Sequence, residues 1–147
     1  MSRLRIRNAL SACDVGTLAE RSVRNLSGGE LQRVLLAGCF AQESRWLLLD
    51  EPANHLDPGL TQALMKMVAD RHREGLGLLL VTHQLDMLGP LQRMTGVPIR
   101  VIGIRCGEVR MDTHSDRDLA APFSDLYGFP MKSLLVDGDY HYFSGAG

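Results

Sequence analysis

Several familiar constructions are missing from this sequence. The longest apolar runs, WLLL at residues 46–49 and LLLV at residues 78–81, are far too short to span a bilayer. Any membrane crossing would therefore fall to another subunit. The opening MSRLRIRNAL lacks the apolar core of a signal peptide. The three cysteines, Cys13, Cys39 and Cys106, form no CxxC pair, and their odd count speaks against a disulfide framework or a zinc site. A reducing compartment is the expectation, with Cys39 as a small core residue among apolar neighbours. Only two lysines occur, Lys66 and Lys132. Neither follows the pattern GxxxxGK[ST], so a phosphate-cradling loop of that kind is not found within these residues. The net charge of -1 gives no nucleic-acid footprint, and no nucleic-acid partner is expected. Arg3, Arg5 and Arg7 form a small basic cluster, read as the solvated face of a helix end.

What is present suits an ordinary globular chain. There are 147 residues, 45% hydrophobic and 22% charged, enough for one domain with a sizeable core. Residues 3–21 carry helix-like spacing, which CDVG can break into two short helices. Ser27 followed by Glu30 fits a capping box. Leu31, Val34, Leu35, Gly38 and Ala41 then recur at helical spacing. RWLLLDEP reads as a short buried parallel strand that stops at Pro52. Asp57 caps and Pro58 opens the next helix, over residues 59–74, which Gly75 stops. GLLLVTH is a second buried strand, and QLDMLGPLQRM is helical with a weak point at Gly89–Pro90. A hairpin turning at Cys106–Gly107, a capped short helix over DRDLAAPFSDLYG and a last hairpin turning at Asp137–Gly138 follow. Strand, helix, strand, helix implies βαβ units and a parallel sheet covered by helices.

Three stretches carry chemistry. In LSGGE, two glycines at a helix start let a ligand approach the backbone, and the helix N-terminus favours an anion such as a terminal phosphate. A plain capping box explains the same five residues. In LLLDEP, Asp50 can reach a magnesium ion and Glu51 can orient or deprotonate an attacking water. Solvated carboxylates at a strand end are the plain alternative. In VTHQ, His83 ends the second strand and belongs at the same sheet edge as Asp50 and Glu51, where open parallel sheets bind ligands. Each signal is weak alone. Their order and spacing together make chance an inadequate explanation.

Taken together, these residues resemble the ATP-binding subunit of ABC transporters. LSGGE (Leu26 to Glu30) with Gln32 and Arg33 looks like the signature motif, WLLLDEP the Walker B strand, ANHLD the D-loop with Asp57, and VTHQ the switch-histidine segment. The match is strong from about residue 20 to 86. The resemblance implies an α/β fold: the C-terminal part of a P-loop NTPase (RecA-like) parallel sheet flanked by helices, with part of the helical subdomain and C-terminal hairpins. It implies that residues 1–45 end the helical subdomain, 46–112 form the Walker B, D-loop and switch core, and 113–147 form a C-terminal helix and hairpin. It implies ATP and Mg2+, with Asp50 on the metal, Glu51 and His83 catalytic, and Ser27, Gly28, Gly29, Glu30, Gln32 and Asp57 at the nucleotide. In such a family the signature contacts ATP held by the opposite subunit of a head-to-tail dimer, and membrane permease subunits are further partners. A cytoplasmic location at the inner face of the plasma membrane follows.

The tail LAAPFSDLYGFPMKSLLVDGDYHYF resembles the end of importer subunits for iron-siderophore, haem or cobalamin uptake. In the family the phosphate loop lies upstream of the signature, so the chain looks like the C-terminal half of a nucleotide-binding domain. A separate chain carrying the Walker A half is then a candidate partner, and autonomous ATP hydrolysis is not expected without the Walker A lysine. Gln84 stands where the family usually has an acidic residue, and Gly38 and Cys39 depart from the usual signature helix. Two other readings are a non-catalytic remnant or regulatory module that binds a partner ATPase, and a translation-associated ABC protein. A sheet without its other strands should have an unpaired edge and an uncovered face, and the isolated chain is expected to associate.

Overall fold

In the computed structural model, residues 2–54 and 56–145 are described, and the chain divides into two compact units, Met1–His83 and Gln84–Gly147. The first unit begins with helix α1 (Arg3–Ala12), capped by the Ser2 side chain. The three arginines lie exposed on its first turns, and Arg5 pairs with Glu43 at 3.0 Å. CDVG does end this helix, and a short 3-10 turn follows at Gly16–Leu18. A second 3-10 turn, Val23–Asn25, leads to α2 (Gly28–Ala41). Strand β1 (Trp46–Asp50), helix α3 (Pro58–Arg73) and strand β2 (Gly77–Val81) form the expected βαβ unit. Pro58 sits at the start of α3 because a first-turn N–H has no helical partner to lose.

The strands pair in parallel, Trp46 opposite Gly77 through Asp50 opposite Val81. The pleat then sorts their side chains. Leu47, Leu49 and Leu78 turn to a core built with Phe40, Leu64 and Val68 from α2 and α3. Trp46, Leu48, Leu79 and Val81 share the other face, and all four are exposed. The reading of both strands as fully buried is thus corrected: one face is covered and one is bare. On the bare face the indole of Trp46 lies across Gly77, where an added Cβ would meet ring atoms at 2.5 Å. A second correction concerns α2. Its buried stripe is Leu36, Ala37, Phe40 and Ala41, whereas Leu35 is 57% exposed. The expected face was rotated by about one residue: Ala41 is buried as expected, while Leu36, Ala37 and Phe40 are buried in place of Leu35.

The second unit opens with a 3-10 turn, Leu85–Met87, and α4 (Leu88–Thr95). Pro90 falls in the first turn of α4, where it breaks no helical hydrogen bond. Strands β3 (Arg100–Arg105) and β4 (Glu108–His114) form the first hairpin, α5 (Ala120–Tyr127) follows, and β5 (Met131–Val136) with β6 (Asp139–Ser144) forms the second. Both two-residue turns take positive φ at both positions, Cys106 (54°) with Gly107 (79°) and Asp137 (52°) with Gly138 (88°). This is the hairpin geometry that matches strand twist. Phe123 anchors the small core, edge-on to Tyr142 at 4.9 Å between centroids, while the Tyr142 hydroxyl accepts the Leu119 N–H at 3.2 Å. Arg93 of α4 pairs with the buried Asp139 carboxylate at 2.7 Å. Gly89 lets the helix come this near, since a Cβ there would lie 2.8 Å from that of Asp139.

Burial pushes the Cys13 thiol up to about 11, the cost of placing a thiolate in an apolar core. Titration with a disulfide reagent at pH 8 should therefore label exposed Cys106 at once and Cys13 only on unfolding. The bare face of β1 and β2 should bind a hydrophobic dye and drive concentration-dependent association. Leu48→Lys with Leu79→Lys should reduce both, read by fluorescence and sedimentation.

Candidate functional site

The end of the parallel pair gathers the predicted catalytic residues. Strand β1 stops at Asp50, which is exposed. Glu51 then adopts φ of 46°, a left-handed conformation that a non-glycine residue enters at a cost of about 1–3 kcal/mol. It does so directly before Pro52, a position that already restricts the backbone. The Glu51 N–H donates to the Val81 carbonyl at 2.8 Å, and its carbonyl accepts the Asn54 N–H at 3.1 Å. The ladder with β2 thus runs one residue past the strand while the chain turns away.

This turn aims the Glu51 side chain at the segment after β2. Its Oε1 lies 2.7 Å from Nδ1 of His83, and its Oε2 accepts a hydrogen bond from the Thr82 hydroxyl at 3.3 Å. A carboxylate can only accept, so Nδ1 of His83 carries the hydrogen and Nε2 is the ring atom left for other chemistry. The bond from His83 holds the Glu51 carboxyl below the usual carboxylate range. Burial pulls the other way, and Thr82 adds to the lowering. His83 was expected to end β2, but the strand closes at Val81 and the histidine lies two residues on. It reaches Glu51 nonetheless, across 32 residues of sequence.

The other predicted residues sit at helix starts. Ser27 and Glu30 form the full capping box: Glu30 Oε2 accepts the Ser27 N–H at 2.8 Å, and the Ser27 hydroxyl accepts the Glu30 N–H at 3.3 Å. The Ser27 backbone N–H, followed by its hydroxyl, holds the Glu30 carboxyl below its ordinary value. Gly28 has open space where a side chain would stand, as a close ligand approach requires. Gly29 instead faces Leu60 of α3, with an added Cβ 2.5 Å from its Cδ1. Gln32 donates from Nε2 to the Pro52 carbonyl at 3.0 Å. Asp57 caps α3 through the Leu60 N–H at 2.9 Å. His55 of the ANHLD segment lies outside the described residues. Two functional contacts were not foreseen, those of Thr82 and of Gln32 with Pro52. Thr82 could have been found from its place beside His83 at the strand end; nothing in the sequence marks the Pro52 carbonyl as a partner.

Mg2+ takes one or two carboxylates and otherwise substrate phosphates and water. No group of three His, Cys, Asp or Glu able to hold a metal occurs among the described residues. An exposed Asp50 at the strand end fits a metal that a phosphate helps to hold, and not a protein-only cage. No helix among the described residues is long and apolar enough to cross a membrane.

A parallel sheet flanked by helices, with carboxylates and a histidine at its strand ends, defines the P-loop NTPase fold. Residues 2–87 match a family described as "AAA domain, putative AbiEii toxin, Type IV TA system". A "putative ABC transporter ATP-binding protein" of Saccharolobus solfataricus is 32% identical over 94% of this chain and 27% of its own length. A hemin import ATP-binding protein of Nocardia farcinica is 46% identical over 54% of this chain and 27% of its own. Among solved structures, an inward-facing metal-chelate type ABC transporter superposes with a TM-score of 0.81 at 19% identity, covering 97% of this chain and 57% of that one. The chain belongs to this AAA-domain family, and its homologues are ABC transporter ATP-binding proteins. It spans about a quarter of the length of the curated relatives just named.

The lowered Glu30 carboxyl gives α2 a pH dependence. Its stabilising charge is fully present above the ordinary value of 4.5 and is lost as pH falls through the lower folded value. Ser27→Ala should lower the thermal midpoint at neutral pH, by about 1 kcal/mol of stability. The difference from wild type should shrink in melts recorded at progressively lower pH.

Proposed function

We propose that the chain is part of the ATP-binding, ATP-hydrolysing component of an ABC-type importer, with a metal chelate as the transported class. The observation that carries the catalytic half of this reading is the 2.7 Å contact between Glu51 and His83. Relatives named for hemin, zinc and cobalt import support the transport half. Glu51 would accept a hydrogen bond from the water that attacks the γ-phosphate and draw off its proton. His83, its Nδ1–H on Glu51, would donate to the γ-phosphate from Nε2 when that nitrogen also carries a hydrogen. Asp50 would hold Mg2+, which when bound neutralises phosphate charge.

Ser27, Gly28 and Gly29 would close a nucleotide held by the second subunit of a head-to-tail dimer. Glu30 acts there through the capping box, Gln32 through Pro52 and Asp57 through the start of α3. Permease subunits would receive the motion at the inner face of the plasma membrane. The bare face of β1 and β2 is where residues bearing a GxxxxGK[ST] loop would pack, whether in the same polypeptide or another.

The test is ATP turnover with Mg2+, first by the chain alone and then with a cassette segment that carries the phosphate loop. The chain alone should show no turnover. The combination should hydrolyse ATP, and Glu51→Gln should cut the rate by roughly 10²-fold or more. Turnover that ignores Glu51→Gln would sink this reading. Binding to a partner ATPase with no turnover would point to a regulatory module instead.

A further inference from the structure

We propose that Gln32 is a positioning residue for Glu51, tying the start of α2 to the turn that aims the carboxylate. This rests on the reading of Glu51 as the residue that orients water. Besides the Asn54 N–H on the Glu51 carbonyl within the turn itself, contacts from two elements hold that turn. From the β2 side come the Val81 carbonyl, the Thr82 hydroxyl and the His83 ring. From α2 comes the Gln32 amide on the carbonyl of Pro52. It spans 20 residues of sequence and is partly buried, so it persists in water better than a surface contact would.

Its placement gives it leverage. Pro52 is buried and its ring fixes φ, so only ψ is left to turn its carbonyl, and the Gln32 amide holds that angle. Glu51 occupies positive φ directly before that proline, a conformation that survives only where its surroundings enforce it. Gln32 adds a restraint from α2 to those from β2. Ser27 caps the same helix five residues earlier, and a hydrogen-bonded helix moves as a rod. Displacement of the LSGGE backbone is thereby passed to the Glu51 turn through one amide.

The experiment is nuclear magnetic resonance on the full 147-residue chain, without nucleotide. Gln32→Met removes the donor and keeps the length of the side chain. The Glu51 amide should then exchange with solvent roughly tenfold faster, as loss of one supporting hydrogen bond implies. Its Cα–Hα coupling should drift from the value that marks positive φ. Leu36→Val, a core change on the same helix, should leave both readouts at wild-type values. A Gln32→Met chain that matches wild type overturns the proposal. So does an equal response to Leu36→Val, which would make Gln32 a packing residue only. If Gln32→Met does not fold, the unmutated chain decides. Slow exchange of the Gln32 side-chain amide supports the proposal, and solvent-like exchange overturns it. None of these readouts needs ATP turnover, so this proposal and the functional reading can fail separately.

Discussion

The site depends on the parallel register of β1 and β2. Asp50 opposite Val81 puts the next residue of each strand at one sheet end, and the Glu51 N–H then bonds the Val81 carbonyl. A slip of one residue would turn Leu47 and Leu49 out of the core and bring Trp46 and Leu48 in. That cost fixes the register, and the register brings Glu51 within hydrogen-bond reach of His83. Hydrophobic sorting on one side of the sheet is thus what places two polar side chains at its end.

Much of this was legible in the sequence. Ser27 with Glu30, Asp57 with Pro58, and the turn pairs Cys106–Gly107 and Asp137–Gly138 are local devices, and each forms where its residue types placed it. The parallel pairing of WLLLD with GLLLV followed from two short apolar runs around a helix. The convergence of Glu51 and His83 followed from both lying at strand ends.

What was not legible is tertiary. Continuous apolar strands suggest burial on both faces, yet nothing among the described residues covers Trp46, Leu48, Leu79 and Val81. The stripe of α2 was misplaced because Ala37, in one core with Ala9 of α1, carries little hydrophobic weight in a periodicity count. Gln32 stands in the signature-like stretch. Its amide is committed to a carbonyl 20 residues away, a pairing that no local pattern encodes. The space beside Gly29 where a side chain would stand is taken by Leu60, again a tertiary contact.

The close approach of α4 to the second hairpin binds two positions to a shared history. Gly89 has no space for a methyl group while residue 139 is an aspartate, and the buried Asp139 carboxylate is paired with Arg93. Among relatives that keep this packing, a side chain at position 89 should appear only with glycine at 139. Loss of the arginine at 93 should travel with loss of the acid. Three residues from two elements therefore drift as one unit.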